Sequence, residues 1–268
     1  MKTFCTLSDI RYKLLGLALL NSLKTHCKED FELYYLCLDD EMYQLLVKQS
    51  FKNVIPIRVT DLENENADLM EFKERQQPEI GGTNNAGYCW ALASYFSHYL
   101  LKNKAKEVMY IDSDIYFYAD PQIIYDEVGD KSVGIIKQRH NLVGSIDGGY
   151  NVGIVLFRGD IGLRVADWWK DGVINNKYPE YATCYDQKYL EGFIPEFGED
   201  NICIVDKTVG HGAPWNYRLY VYDELDSTGN IIYGDIEQTF VFNHFSRMKY
   251  ESGLQEPRAI QDFCGGNY

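Results

Sequence analysis

The chain has 268 residues, of which 46% are hydrophobic, and this length is enough for one large domain or two small ones. Its formal net charge of -14 argues against nucleic acid or anionic lipid as a general partner. The seven cysteines form no CxxC pair and several lie in apolar segments, so reduced thiols in a cytosolic protein fit best. We recognise no signal peptide, and the apolar run at residues 14–20 is shorter than the roughly 20 residues of a membrane span.

The first part of the chain alternates short apolar segments with helical ones. The apolar segments predict strands at residues 3–7, 31–38, 53–59 and 107–112. The helical pattern predicts helices at residues 12–24, 39–49 and 89–103. Continuous apolar strands separated by helices predict an α/β fold, in which helices cover both faces of a mainly parallel sheet.

The second part of the chain has a different pattern. Residues 148–160, "GGYNVGIVLFRGD", predict a buried strand, and the predicted helix "GLRVADWWKDGVINN" follows it. The later segments "CYDQKYLEGF", "VGHGAPWNY" and "VFNHFSRMKY" are aromatic, Gly-rich and irregular. Because no Ser-, Gly- or Pro-rich linker separates the parts, we predict one domain over residues 1–268, with a nucleotide-type first half and a loop-rich second half.

Two acids stand at the end of a predicted strand, in "YIDSDIYFYADP" at residues 110–121. Asp112 and Asp114 follow the apolar run "VMYI", and the ligands of an open parallel sheet bind outside the carboxyl ends of its strands. Residues i and i+2 of an extended segment share a face, so both carboxylates can approach one point. Because like charges repel, we expect a divalent cation that carries a substrate's phosphates between them. The alternative is an ordinary strand-end turn.

Several blocks occur together in one order: "FCTLSDIRY", "FELYYLCLDD", "YCWALASYFSHYLL", "VMYIDSDIYFYADP", "GYNVGIVLFRGD", "YDQKYLEGF", "GAPWNY" and "FNHFS". Over about residues 3–247, this order resembles bacterial GT-A-fold glycosyltransferases related to glycosyltransferase family 8, the group that includes lipopolysaccharide galactosyltransferases and glycogenin. The resemblance implies a GT-A, Rossmann-like fold and a Mn²⁺-dependent enzyme. Such an enzyme moves a hexose from a nucleotide diphosphate sugar, with UDP as the favoured nucleotide, and retains the anomeric configuration.

The resemblance also implies the metal ligands. Asp112 and Asp114 would bind the metal, with Asp112 shared between the metal and the ribose. His244 in "FNHFS" matches the late His that completes the protein ligands, and imidazole with carboxylate suits Mn²⁺ better than the alternative, Mg²⁺. His211 in "GHGAPW" is a competing ligand. For His244 by itself, the simpler interpretation is a satisfied core histidine.

The nucleoside is expected where the first strand ends. By resemblance, Thr6, Asp9 and Tyr12 lie at this position. Tyr12 would stack on the base, and Asp9 would hydrogen-bond the base edge or the ribose. The alternative is a plain helix cap, with Tyr12 packed against the sheet.

The sugar and acceptor pocket is expected from two other blocks. Asn151 in "GYNVG" and the pair Asp186 and Gln187 in "YDQKY" match pocket positions of the family by resemblance. The pair would otherwise be an ordinary first helical turn. Arg247 and Lys249 are candidates for phosphate contact, although "HFSRMKY" departs from the family pattern at both positions.

The family implies partners and a location as well. The donor would be a nucleotide sugar, and the acceptor a glycan or a lipid-linked saccharide. Residues 1–160 would bind the donor and residues 161–268 would face the acceptor. We expect a cytoplasmic enzyme of surface polysaccharide biosynthesis, associated peripherally with membrane-bound assembly machinery. Two alternatives remain open: a non-catalytic nucleotide-sugar-binding module, and a metal-dependent nucleotide-sugar hydrolase. Residues 250–268 carry no motif.

Overall fold

The computed structural model describes residues 1–76, 86–140, 148–184, 186–221, 229–246, 248–249 and 258–259. The α-helices are α1 (Lys13–His26), α2 (Asp40–Gln49), α3 (Val59–Glu65), α4 (Ala67–Arg75), α5 (Ala86–Asn103), α6 (Gln122–Val128), α7 (Gly159–Asn175) and α8 (Phe193–Phe197). The strands are β1 (Lys2–Ser8), β2 (Phe31–Cys37), β3 (Val54–Arg58), β4 (Glu107–Ile111), β5 (Ile115–Phe117), β6 (Val133–Lys137), β7 (Tyr150–Arg158), β8 (Ile202–Val205), β9 (Val209–Gly212), β10 (Tyr220–Val221), β11 (Asn230–Tyr233), β12 (Ile236–His244), β13 (Met248–Lys249) and β14 (Arg258–Ala259).

The main sheet has seven strands over the described residues, in the order β3-β2-β1-β4-β7-β6-β8. Strands β3, β2, β1 and β4 are parallel neighbours, and β6 is parallel to β8. Strand β7 runs antiparallel to both β4 and β6. The predicted α/β fold with a mainly parallel sheet is therefore confirmed. Strand β8 follows residue 160 in sequence but belongs to this same sheet. The division into a donor-binding half and an acceptor-side half stays a prediction.

Both faces of the main sheet are buried, which explains the continuous apolar pattern of its strands. In β4, Val108 and Tyr110 belong to the core that α5 and α7 cover. The alternate residues Met109 and Ile111 belong to the core on the other face, which includes residues of α1, α2 and α6. Among the described residues, no helix is both long enough and apolar enough to cross a membrane.

A second sheet contains β10, β11, β12 and β5 in that order, and β9 pairs with β12. The sequence pattern describes "VGHGAPWNY" and "VFNHFSRMKY" as irregular, and here the structure differs, since β9 and β12 lie in them. The Gly residues serve close packing: a Cβ on Gly212 would lie 2.2 Å from Asn243 Oδ1. The alternative for Asp186 and Gln187, an ordinary first helical turn, is instead the start of a 3-10 segment, Gln187–Gly192, followed by α8.

Candidate active site

The acid motif forms the link between the two sheets. The backbone N–H of Asp112 donates to Gly153 O at 2.8 Å, which extends the pairing of β4 with β7 by one bond. The N–H of Ile115 then donates to Asp112 O at 3.1 Å, and this turn starts β5. On the second sheet, the N–H of Phe245 donates to Asp114 O at 2.9 Å. These bonds place the acids at the carboxyl end of β4, where the end of β12 approaches it.

His244, the last residue of β12, faces both acids. Its Nε2 lies 3.1 Å from Asp114 Oδ1 and 3.6 Å from Asp112 Oδ2. Asp112, Asp114 and His244 each offer a ligand atom, and these atoms all lie within 4.8 Å of one another. Two carboxylates and an imidazole that converge on one point make a donor set that suits a divalent ion such as Mn²⁺. The three residues therefore fit the expected metal.

The charged groups of the cluster shift the pKa values of Asp112 and His244. Burial and the charge of Asp114 raise the pKa of Asp112, while the charge of His244 opposes this change. Burial alone would lower the pKa of His244, but the charges of Asp114 and Asp112 outweigh it, and the pKa is raised. The imidazole thus tends to carry a proton between the acids when no metal is bound, and metal binding has to displace the Nε2 proton.

His211, the competing ligand from the sequence, has both ring nitrogens engaged elsewhere. Its Nε2 lies 3.1 Å from Lys137 O, and its Nδ1 lies 3.3 Å from Asn216 Nδ2. The ring stacks on Phe242 with centroids 5.2 Å apart. Burial, followed by the charge of Arg139, lowers its pKa well below the usual range. The geometry therefore favours His244 as the metal ligand, whereas the contacts of His211 are structural.

The predicted pocket residues lie beside the cluster. Asn151 Oδ1 is 3.1 Å from His244 Nδ1, and Asn151 Nδ2 donates to Gln187 Oε1 at 3.2 Å. The backbone oxygen of Asp186 accepts from Trp169 Nε1 at 2.9 Å, which anchors the start of the 3-10 segment. Burial and the charge of Asp112 raise the pKa of the Asp186 carboxyl well above its usual range. The structure therefore brings all three residues to one place.

The predicted nucleoside residues lie along the end of β1 and the turn after it. Thr6 is fully buried, and its Oγ1 has no hydrogen-bond partner among the described residues. Asp9 caps the turn, because its carboxylate accepts from the backbone N–H of Arg11 at 2.9 Å and from Arg11 Nε at 2.8 Å. Tyr12 is 39% exposed, and burial together with the charges of Asp114 and Asp9 raises its pKa. The capping interpretation of Asp9 is thus observed, and Tyr12 lies near the acids.

Sequence reasoning missed two residues of the site. Tyr110 donates from its hydroxyl to Asp112 Oδ1 at 2.7 Å, and the i to i+2 spacing within an extended segment is the signal that predicts this contact. Gly153 lies under the cluster, where a Cβ would come within 2.8 Å of His244 Nδ1. A Gly inside a strand pattern is the signal for such a close approach. Trp215, in the block "GAPWNY" that the sequence links to the donor site, has its ring edge-on to His244 with centroids 5.4 Å apart.

Some predicted residues cannot be placed. Arg247 and the side chain of Lys249 lie outside the described residues, and so do residues 250–268 apart from the backbone of 258–259. Their roles stay predictions.

No protein-family model matches the chain. The chain is 29% identical to YfnF of Bacillus subtilis (strain 168), a protein named as uncharacterized, over 97% of this chain and 85% of YfnF.

Two solved structures share the fold. Mouse xyloside xylosyltransferase 1 in its apo form superposes with a TM-score of 0.59 at 13% identity, over 91% of this chain and 97% of that chain. The galactosyltransferase LgtC, in complex with donor and acceptor sugar analogs, superposes with a TM-score of 0.57 at 16% identity, over 90% and 86%. The chain therefore has the GT-A glycosyltransferase fold, as the resemblance to glycosyltransferase family 8 relatives implies.

Proposed function

We propose that the protein is a metal-dependent glycosyltransferase that moves a hexose from a nucleotide diphosphate sugar, with UDP as the nucleotide, to a glycan or lipid-linked acceptor. The observation that carries the proposal is the convergence of Asp112, Asp114 and His244 within 4.8 Å at the junction of the two sheets of a GT-A fold. The likeness to two solved glycosyltransferases supports it at the level of the fold.

In the proposed reaction, Asp112, Asp114 and His244 hold a divalent ion, with Mn²⁺ favoured over Mg²⁺. Bound there, the ion supplies a Lewis acid that neutralises the charge of the leaving diphosphate. Tyr110 keeps Asp112 in place through its hydroxyl, 2.7 Å from Oδ1. The carboxylates thereby present their oxygens in a fixed geometry before the donor arrives, and such preorganisation lowers the barrier to bond breaking.

The nucleoside is proposed to bind along Thr6, Asp9 and Tyr12. The partly exposed ring of Tyr12 offers a face for the base. Thr6 is fully buried, so a nucleotide contact with its unpartnered Oγ1 would require neighbouring residues to move. Asp9 already accepts from Arg11, so a ribose or base contact has to share its carboxylate oxygens.

The sugar is proposed to lie between the metal ligands and the Asp186–Gln187 pair. A bound cation would offset the charge of Asp112, which together with burial raises the pKa of Asp186, and would so favour the ionised carboxyl. The ionised Asp186 would then stabilise the positive charge that builds on the sugar as the anomeric bond breaks, and the Gln187 amide would orient the sugar hydroxyls. Asn151 lies between this pair and His244. The retaining stereochemistry belongs to the proposal and is tested by the anomeric configuration of the product.

Two other functions use the same site. A non-catalytic nucleotide-sugar-binding module needs the metal cluster but no buried carboxyl such as Asp186 beside it. A nucleotide-sugar hydrolase would use water as the acceptor. We propose the transferase because transfer explains both the metal cluster and the polar pocket next to it. As further parts of the proposal, the enzyme acts in surface polysaccharide biosynthesis at the inner face of the membrane and associates there peripherally with assembly machinery.

The test is nucleotide release from a panel of UDP-, GDP-, dTDP- and CMP-sugars, with Mn²⁺, with Mg²⁺ and with a chelator. We expect slow, Mn²⁺-dependent release from one UDP-hexose and a much higher rate when a suitable saccharide acceptor is added. Fast release that no acceptor accelerates would favour the hydrolase. Metal-dependent nucleotide binding without any release would favour the binding module.

A further inference from the structure

The side chain of Asn151 is committed to the protein on both of its polar atoms. Asn151 lies near the start of β7 and is 7% exposed. Its Oδ1 accepts from the backbone N–H of Gly153 at 2.9 Å and lies 3.1 Å from His244 Nδ1. Its Nδ2 donates to Gln187 Oε1 at 3.2 Å. Asn151, which the sequence analysis assigns to the sugar pocket, therefore has both polar side-chain atoms bound to other groups of the protein.

These contacts determine the orientation of the amide and the position of the imidazole proton. A backbone N–H can only donate, so the Asn151 atom that faces Gly153 N has to be the oxygen. The same oxygen faces His244 Nδ1, and two acceptors cannot form a hydrogen bond with each other. His244 Nδ1 therefore carries a hydrogen, so the ring can bind a metal only through Nε2, once the Nε2 proton is displaced.

We propose that Asn151 is a positioning residue: it holds His244 in the Nδ1–H tautomer, with the Nε2 lone pair directed at the point between Asp112 and Asp114. The inference rests on the metal site of the proposed function. Metal-ligating histidines generally donate their second ring N–H to a protein acceptor, which orients the ring and selects the tautomer. Asn151 Oδ1 is that acceptor here.

Gly153 makes this arrangement sterically feasible. A Cβ at this position would lie 2.6 Å from Asn151 Oδ1 and 2.8 Å from His244 Nδ1, in the space that the two side chains need. The backbone oxygen of Gly153 also accepts from Asp112 N at 2.8 Å. One residue of β7 thereby sets the position of the acid turn and leaves room for the histidine contact.

The same chain of amides reaches the predicted sugar pocket. Gln187 Oε1 accepts from Asn151 Nδ2, and it lies 3.5 Å from the backbone N–H of Val152, which again identifies it as the oxygen. The series Gln187, Asn151 and His244 thus connects the 3-10 segment that starts after Asp186 to the metal ligand. Asn151 acts on the metal through His244, whereas a sugar contact would act on the donor directly.

The experiment measures Mn²⁺ affinity without turnover, by electron paramagnetic resonance of free Mn²⁺, for the full chain and its variants. Asn151→Leu and Asn151→Ala remove the acceptor, and Asn151→Asp keeps it. Asn53→Leu is the matched control, because Asn53 Nδ2 donates to Phe31 O at 2.8 Å, before β3 and away from the carboxyl ends of the strands. We expect the first two variants to bind Mn²⁺ about 10- to 100-fold more weakly, the range for partners of metal ligands. Asn53→Leu should stay within about threefold of the parent protein, and Asn151→Asp, which keeps the acceptor, should bind Mn²⁺ more tightly than Asn151→Ala.

A second readout is the Nδ1 proton of His244, from ¹H–¹⁵N spectra of the histidine side chains in the protein loaded with diamagnetic Mg²⁺. His244→Gln assigns the signal among the five histidines. We expect a hydrogen-bonded, slowly exchanging Nδ1 proton in the parent protein, and loss of its signal through fast exchange in Asn151→Ala. Thermal unfolding identifies any variant that fails to fold, and the Nδ1 proton of the parent protein then tests the acceptor by itself.

The outcomes separate this inference from the proposed function. If Asn151→Leu and Asn151→Ala bind Mn²⁺ as tightly as the parent protein and keep the slowly exchanging Nδ1 proton, the inference is wrong and the proposed function stands. If only the KM for the donor rises in these variants, Asn151 is a sugar contact instead. If the parent protein binds no Mn²⁺, both the inference and the proposed metal site fail.

Discussion

Strands β9 and β12 are neighbours in the second sheet, and each brings a buried histidine toward the site. His211 pairs in register with Phe242, two residues before His244, and the two histidines are 2% and 6% exposed. Yet burial dominates at His211 and lowers its pKa, while the two aspartates outweigh burial at His244 and raise its pKa. The same residue type at similar burial thus serves as a structural group in one strand and as a candidate metal ligand in the next. The charged residues around each histidine, and not the extent of its burial, determine whether its pKa is raised or lowered.

The largest effect is expected from the acids that distinguish the two histidines. Asp114→Ala removes a carboxylate 3.1 Å from His244 Nε2, and we expect Mn²⁺-dependent donor release to fall by more than about 100-fold. Parallel Mn²⁺ titrations should show the same loss for His244→Gln and none for His211→Gln. A near-wild-type rate for Asp114→Ala would refute the metal site, and a metal-binding loss confined to His211→Gln would exchange the roles of the two histidines.

The second-largest effect is expected from a substitution of Gly153, the glycine beneath His244. Gly153→Ala places a Cβ within 2.9 Å of three atoms of Asn151 and His244, so these side chains have to shift. Overpacking of this kind costs about 1–3 kcal/mol of unfolding free energy, and we expect Mn²⁺ affinity to fall about tenfold or more. Chemical denaturation and Mn²⁺ titration measure the two effects.

The control for this prediction is Gly149→Ala. Among the described residues, a Cβ on Gly149 would meet only Glu191 Oε1, at 3.8 Å, which is ordinary van der Waals contact. Equal effects of the two substitutions would mean that the close approach at Gly153 is unimportant.

A substitution of His211 should lower the stability of the protein without weakening its metal binding. His211→Leu leaves Asn216 Nδ2 and Lys137 O without their partner, and each unsatisfied buried group costs about 1–3 kcal/mol. We expect a loss of about 2 kcal/mol or more in denaturant unfolding, with Mn²⁺ affinity unchanged within about twofold. Weakened metal binding in a variant of unchanged stability would contradict the structural role.

The smallest expected effect on stability is that of a substitution of Asp186, and this effect depends on pH. Its pKa is raised in the folded state by burial and by the charge of Asp112. Below about pH 4 the carboxyl is protonated in both states and favours neither. As pH rises through that value the unfolded state ionises first, so the native state loses stability until the folded pKa is reached. Asp186→Asn should therefore raise the unfolding free energy at pH 7, with little change at pH 4.

The measurement is urea unfolding of Asp186→Asn and of the parent protein, both without metal, at several pH values. An equal difference at pH 4 and pH 7 would show that the carboxyl is not perturbed. The same variant should lose sugar transfer and keep Mn²⁺-dependent nucleotide binding. Lost nucleotide binding would place Asp186 among the groups that hold the donor phosphates.

Local pattern was a good guide for the main sheet and a poor one for the second sheet. Strand β1 and helix α2 each lie within one or two residues of their predicted ranges, because their apolar runs and the N-terminal acids of α2 are local signals. Strand β12 gave no such signal. It forms a hairpin with β11, but its other described partners, β5 and β9, are more distant in sequence, and no local pattern predicts pairing with them.

By itself, the sequence determined the α/β class, the strands of the parallel part of the sheet, and the position of Asp112 and Asp114 at the end of β4. These features follow from periodicity and from the chemistry of strand ends, which neighbouring residues encode. Only the tertiary structure decided that His244, and not His211, faces the acids, and that Asn151, 93 residues away in sequence, holds the other side of its ring. The physical reason is that hydrogen-bond partners across sheets depend on strand pairing between distant segments, which no local pattern specifies.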